Sequence, residues 1–142
     1  MSQQATLEQS YLILVKFLLL SKRRVIELGA ESGLTAMQAM MLFMLDHPCP
    51  MNNFKKVFNC DASNITGLVD GLEQKKLVSR YENPDDRRLK MVKLEAKGKR
   101  VRAALISNLT AHGSPLLSKL SPAEFRAFIK LLQKITAGEQ HV

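Results

Sequence analysis

Between Ile65 and Leu94 the spacing of apolar residues changes period, and that change restricts the fold more than any other feature of the chain. Ile65, Leu68, Val69 and Leu72 recur at i, i+3, i+4 and i+7, which lines one face of a helix. From Leu77 to Glu82 the period moves toward two, and it does so again from Lys90 to Leu94. Asn83-Pro84-Asp85-Asp86 lies between these stretches. Helix-period and strand-period patterns do not substitute for one another. The stretch therefore demands a helix followed closely by a β-hairpin with a long, charged tip.

Upstream, Thr35-Ala36-Met37-Gln38 fits a capping box, with Thr35 at the N-cap and Gln38 at N3. The helix it opens carries Met37, Met40, Met41 and Met44 on one face and is expected to end near Asp46, before Pro48 and Pro50. At helical spacing these methionines read as core, with a ligand-pocket lining as the alternative. A short helix holds Phe54, Val57 and Phe58, and Asp61 or Ser63 caps the next. Helix, helix, helix, hairpin is the winged variant of the helix-turn-helix, so the fold class is mostly α with a small β-hairpin.

Helices flank this core. The first is expected from Thr6 to Leu28, ending before Gly29. Leu7, Tyr11, Leu14 and Leu18 form one apolar stripe, and Ile13, Phe17 and Leu20 another. Such a helix needs cover on several sides, and a second subunit is the natural source of it. The run Tyr11–Leu20 is too short to span a bilayer, contains Lys16, and has its basic residues after it, so neither a membrane span nor a leader is read here. Another helix is expected from Ala96 to Leu109, bent near Gly113-Ser114-Pro115. Ser121-Pro122-Ala123-Glu124 is a second capping box, and Phe125, Phe128, Ile129, Leu132 and Ile135 line the helix that Gly138 ends. At 142 residues, 1–142 reads as a single domain, with 35–98 the winged helix-turn-helix and 6–28 and 99–137 the flanking helices.

Charge is distributed unevenly. The net charge is +8, and Lys75–Arg102 holds eleven Lys or Arg against four acids, a net of +7. That concentration on the hairpin and the following helix is an electrostatic footprint for a phosphate backbone. On the helix after Asp61, Ser63, Gly67, Asp70 and Gln74 lie opposite the apolar stripe, with Asn64 and Thr66 on its flanks. Short polar groups suit first turns that enter a major groove, although an ordinary solvated face would look the same. Gly67 and Gly71 serve either close approach to DNA or tight helix packing. At the hairpin tip, Arg87 and Arg88 are the candidate DNA contacts. An arginine there can enter a narrow minor groove, and Asp86, two residues before Arg88, can hold its guanidinium. An exposed surface ion pair is the plainer alternative.

Enzyme chemistry finds no support. The chain has no G-x-S-x-G, phosphate loop, H-E-x-x-H or C-x-x-C, so no cofactor is expected. His47-Pro48-Cys49 lacks further spaced ligands, so no metal site is expected either. The two cysteines, Cys49 and Cys60, form no disulfide framework, which fits a reducing cytoplasm. Cys60 precedes a helix N-terminus and is the candidate redox thiol. A winged-helix module working through protein contacts is a further alternative, separated from DNA binding by salt dependence.

The sequence resembles the MarR family of bacterial winged-helix regulators. Asp86-Arg87-Arg88 matches the family's D-x-R wing signature, and Leu94 and Gly98 fall in its L-T-x-x-G segment. Cys60–Thr66 and Leu72-Glu73 resemble its recognition-helix segment. The similarity is specific from Thr35 to Gly98. Glu95 replaces the usual Thr and Lys76 a common Gly, which puts the cap of the post-wing helix and the bend before the wing in question. The resemblance implies a homodimer built by interleaved N- and C-terminal dimerisation helices. It implies pseudo-palindromic double-stranded DNA operators, bound as a repressor that a small molecule or an oxidant releases. It also implies that Ser63, Asn64, Thr66 and Gly67 face the groove, and that Arg88, steadied by Asp86, reaches the minor groove.

Overall fold

A computed structural model describes residues 3–111 and 117–138. Its elements are α1 (Gln3–Glu31), α2 (Ala36–Met44), β1 (Cys49–Pro50), α3 (Met51–Phe58), α4 (Ala62–Gln74), β2 (Val78–Glu82), β3 (Lys90–Leu94), α5 (Ala96–Ala111) and α6 (Pro122–Thr136). Both capping boxes form: Thr35 accepts from the Gln38 backbone N–H at 3.2 Å, and Ser121 accepts from that of Glu124 at 3.4 Å. Asp61 is the N-cap of α4 but makes no side-chain capping bond. The expected bend near Gly113-Ser114-Pro115 lies outside the described residues.

Two boundaries differ from expectation. Helix α1 continues through Gly29 to Glu31. A Cβ on Gly29 would lie 2.9 Å from that of Ala39, so this glycine lets α1 and α2 approach rather than ending the helix. The chain turns at Gly33 instead, in the left-handed region at φ 67°. The hairpin also gains a third strand: the sheet order is β1-β3-β2, antiparallel throughout, with Cys49 opposite Val92 and Pro50 opposite Met91. Pro50 has no N–H to give a ladder, and it sits on an edge strand where that loss is tolerated.

One core joins these elements. Leu28, Met41, Leu42, Phe54, Ile65, Val69, Leu72, Val92 and Leu105 are fully buried, drawn from α1 to α5 and β3. Of the methionines on α2, Met41 is buried, and Met37, Met40 and Met44 are half-buried. Gly98 seats α5 on the start of the hairpin: a Cβ there would come within 1.9 Å of the Leu77 carbonyl oxygen. Lys76, the residue that stands for the family's glycine, adopts φ 59° and makes the bend in a conformation unfavourable for a side chain. Glu95 turns its carboxylate to the Ser79 hydroxyl, and its carbonyl accepts the Lys99 N–H at the start of α5.

The outer helices leave much apolar surface uncovered. Leu7, Tyr11, Leu12, Leu14, Leu18 and Leu19 of α1 are exposed, as are Phe125, Leu131 and Ile135 of α6. The two helices meet where Phe17 packs edge-on against Phe128, ring centroids 5.7 Å apart. Among the described residues, no helix is long and apolar enough to cross a membrane.

Candidate nucleic-acid interface

Helix α4 rests on the core through Ile65, Val69 and Leu72, which turns Ser63, Asn64, Thr66 and Gly67 to solvent. The Thr66 hydroxyl donates to the Ala62 carbonyl at 3.0 Å, leaving its oxygen lone pairs outward as acceptors. The two glycines of this helix have different surroundings. A Cβ on Gly67 would meet nothing within 4 Å, whereas one on Gly71 would stand 2.5 Å from Gln38 Nε2. Gly71 is thus a packing glycine, and Gly67 keeps an open surface.

Asp70, expected on the open polar face, is engaged in the fold. It and Glu73 receive the Arg80 guanidinium, each at 2.7 Å, and Glu73 also accepts the Arg80 backbone N–H at 2.8 Å. The hydrogen bond to Glu73 outweighs partial desolvation, and with the charges of Glu73 and Asp70 it holds the guanidinium above its ordinary pKa. This cluster ties β2 to the second half of α4. It also removes one cation from the basic stretch, and the 2.6 Å pair between Lys90 and Glu82 ties up another. Lys97 donates to the Lys75 carbonyl at 3.1 Å, and Lys93 lies 5.6 Å from the centroid of the Tyr81 ring.

The hairpin tip is built by side-chain turns. Asn83 Oδ1 accepts the Asp85 backbone N–H at 2.9 Å, and Asp86 Oδ1 accepts that of Arg88 at 3.0 Å. Leu89 then donates to the Asp86 carbonyl at 2.9 Å, and Asn83 donates to that of Leu89 at 3.0 Å. The expectation that Asp86 grips the Arg88 guanidinium is therefore corrected: the carboxylate holds the backbone. An i to i+2 bond to an amide is shorter in reach than any bond to the end of a long side chain. Arg87 and Arg88 are both exposed.

The structure brings the two predicted contact regions together. A hollow of about 180 Å³ lies between α3, α4 and the wing, bordered by Asn52, Lys55, Ile65, Thr66, Arg88 and Lys90. Asn52 and Lys55 were not among the residues expected from sequence. Their signal, the Lys55-Lys56 pair in α3, stands outside the basic stretch after Lys75.

The cysteines differ from one another. Cys49 is buried, and burial first, then the charge of Asp46, pushes its thiol up to about 11. Cys60 is half-buried against the core at the start of the α4 segment. Among the described residues, no three His, Cys, Asp or Glu side chains gather as a metal site. A separate, largely apolar cavity of about 520 Å³ lies among α1, α5 and α6, lined in part by Phe17, Arg24, Val25, Leu109, Leu120 and Phe125.

The chain is similar to known proteins in sequence and in fold. Residues 34–90 match the model of the MarR family. The uncharacterized HTH-type transcriptional regulator YhbI of Bacillus subtilis (strain 168) is 23% identical over 118 residues, covering 81% of this chain and 77% of YhbI. The transcriptional regulator BldR from Sulfolobus solfataricus superposes with a TM-score of 0.80 at 24% identity, over 96% of this chain and 99% of BldR. A mutant of E. coli MarR, solved in complex with operator DNA, gives a TM-score of 0.70 at 22% identity, over 95% and 99%.

Proposed function

We propose that this chain, whose residues 34–90 match the MarR family model, is a MarR-family transcriptional regulator that binds double-stranded operator DNA as a homodimer. The observation that carries this reading is the hollow that Thr66 of α4 and Arg88 of the wing both border, with Lys55 of α3 beside them. Short polar groups suited to base edges stand there next to cations suited to phosphate. Ser63, Asn64, Thr66 and Gly67 enter the major groove, and Arg88, with Arg87 beside it, reaches the minor groove or its phosphates. Asp86 sets the backbone from which Arg88 projects. The related fold of E. coli MarR, solved with operator DNA, supports the same use here.

The 35–98 region is the DNA-binding part, and α1 with the chain beyond 99 makes the dimer. The uncovered apolar residues of α1 and α6 support this division, because the partner would cover them. A two-fold dimer reads a pseudo-palindrome, and repression is the outcome we assign to its occupancy of such a site in the cytoplasm. For the releasing signal, a small molecule is favoured over an oxidant: the apolar cavity has the volume of a ligand site, and Cys49 is closed to oxidants by burial. Cys60 is the thiol at which an oxidant signal would act.

The test is selection from a random duplex pool, followed by titration of the selected duplex against salt. An inverted repeat whose binding falls with a log–log slope of about −4 or steeper supports the reading. Binding with little salt dependence would favour a module that works through protein contacts.

A further inference from the structure

Helix α2 ends without a basic residue in its last turn, so no positive charge of its own faces its terminal carbonyls. The missing charge comes from α5. Arg102 Nε donates to the Leu42 carbonyl at 3.0 Å and lies 3.4 Å from that of Phe43, which also accepts from Nη2 at 3.2 Å. One turn earlier on the same helix, Gly98 sits against the Leu77 carbonyl. One turn later, Leu105 enters the core. Buried apolar contacts resist separation but tolerate sliding and rotation. A planar guanidinium on two successive carbonyls resists both.

From these contacts we infer that Arg102 is a positioning residue that sets the spacing between operator half-sites. The inference rests on the homodimeric DNA-binding reading above. In that dimer, α5 runs from the wing into the dimerising helices, so its angle to α2 sets where each α4 is carried. Adjacent base pairs differ by about 3.4 Å in rise and about 35° in rotation. A small change in the α2–α5 angle, carried out to α4, is of that order. Arg102 does not touch DNA, so its loss changes which spacing is accepted rather than which bases are read.

The experiment uses full-length protein and a duplex that the wild-type protein selects from a random pool. Spacer variants lengthen or shorten the gap between half-sites by one base pair, and a single half-site duplex is the control. Wild-type affinity should fall about tenfold for either spacer change. In Arg102→Ala that penalty should shrink to about threefold or less, with half-site affinity unchanged. Arg102→Lys, which keeps the charge without the fork, should lie between them, and it serves if the alanine variant does not fold. A variant that binds every duplex more weakly but keeps the wild-type spacing profile overturns the inference, since Arg102 then only supports the fold. If the wild-type protein selects no duplex, the DNA-binding reading itself fails and takes this inference with it.

Discussion

Asp86 holds Arg88 by its main chain: the carboxylate accepts the arginine's backbone N–H at 3.0 Å, and the guanidinium remains exposed. The contact fixes where the side chain starts and leaves its end in solvent. Arg88→Ala should therefore weaken DNA binding without unfolding the protein. It should flatten the slope of log K against log salt by about 2 for the dimer, from roughly 0.9 per cation lost in each subunit. Asp86→Asn keeps an oxygen that can accept the same amide while removing a negative charge near DNA, so it should bind as tightly as wild type or more so. Asp86→Ala loses the turn and should bind less well than Asp86→Asn. Equal affinities for the two Asp86 variants would show that the turn does not matter.

Arg80 provides the contrast. Its charge is already met by Asp70 and Glu73. Arg80→Ala should leave the salt slope unchanged and lower stability by about 1 kcal/mol, a modest figure because the cluster is partly exposed to solvent. Salt titration and denaturant melts on the same variant separate the two effects. A slope that falls as it does for Arg88 would mean that Arg80 leaves its carboxylates to reach DNA.

Three glycines should respond differently to alanine. Gly67→Ala meets open space and removes a weak helix former, so folding should strengthen by about 0.5–1 kcal/mol while DNA affinity falls. Gly71→Ala displaces the buried amide of Gln38, whose Oε1 accepts the Thr35 N–H at 3.1 Å in the capping box, and should cost about 1 kcal/mol. Gly98→Ala drives a methyl into the Leu77 carbonyl and should cost about 3 kcal/mol or more. Chemical denaturation ranks all three, and an unweakened Gly67→Ala complex would remove the case for close approach at that turn.

Cys49 makes stability fall at alkaline pH. Its thiol ionises near 9.0 when unfolded and at about 11 in the fold, so between those values the unfolded chain binds fewer protons than the folded one. The stability it contributes is fully present below pH 9.0 and is lost as pH rises toward 11, amounting to about 2–3 kcal/mol. Cys49→Ala should show a shallower decline across that window in melts at stepped pH. Parallel curves for the two proteins would assign the decline to other groups.

Placing charge on the exposed stripe of α1 should break the proposed dimer. Leu14→Glu combined with Leu18→Glu puts carboxylates where both residues now stand exposed. Sedimentation at micromolar concentration should show a dimer for wild type and a monomer for the variant. A folded wild-type monomer would refute the dimer.

Much of this was legible in the sequence because it is local. The capping residues Thr35 and Ser121, the β3 limits Lys90 and Leu94, and the buried face Ile65, Val69 and Leu72 all follow from spacings within a turn or two. What was missed depends on residues far apart. Pro48 and Pro50 read as breakers, and only pairing with Met91 and Val92 makes a strand of Cys49-Pro50. Gly29 and Gly33 are equivalent stop signals until Ala39 is seen beside the first. Asp70 has the helical angle of a groove-facing residue, and the Arg80 that claims it comes from the next element. The candidate site was read as two regions, and only the packing of α3 brought Lys55 between them.

The contact between Phe17 and Phe128 has a consequence for biosynthesis. Helix α1 leaves the ribosome early, and the helix that meets it there emerges only after the whole winged region has been made. Leu28 of α1 already has its partners in α2 to α5 by then, but Leu7, Leu12, Leu14, Leu18 and Leu19 stand exposed, and in the proposed dimer their cover waits for a second chain. The newly made protein therefore passes through a stage in which its winged region can fold while the outer stripe of α1 is still uncovered. If the proposed dimer is what covers that stripe, the yield of native protein should depend on how many sister chains are being translated nearby.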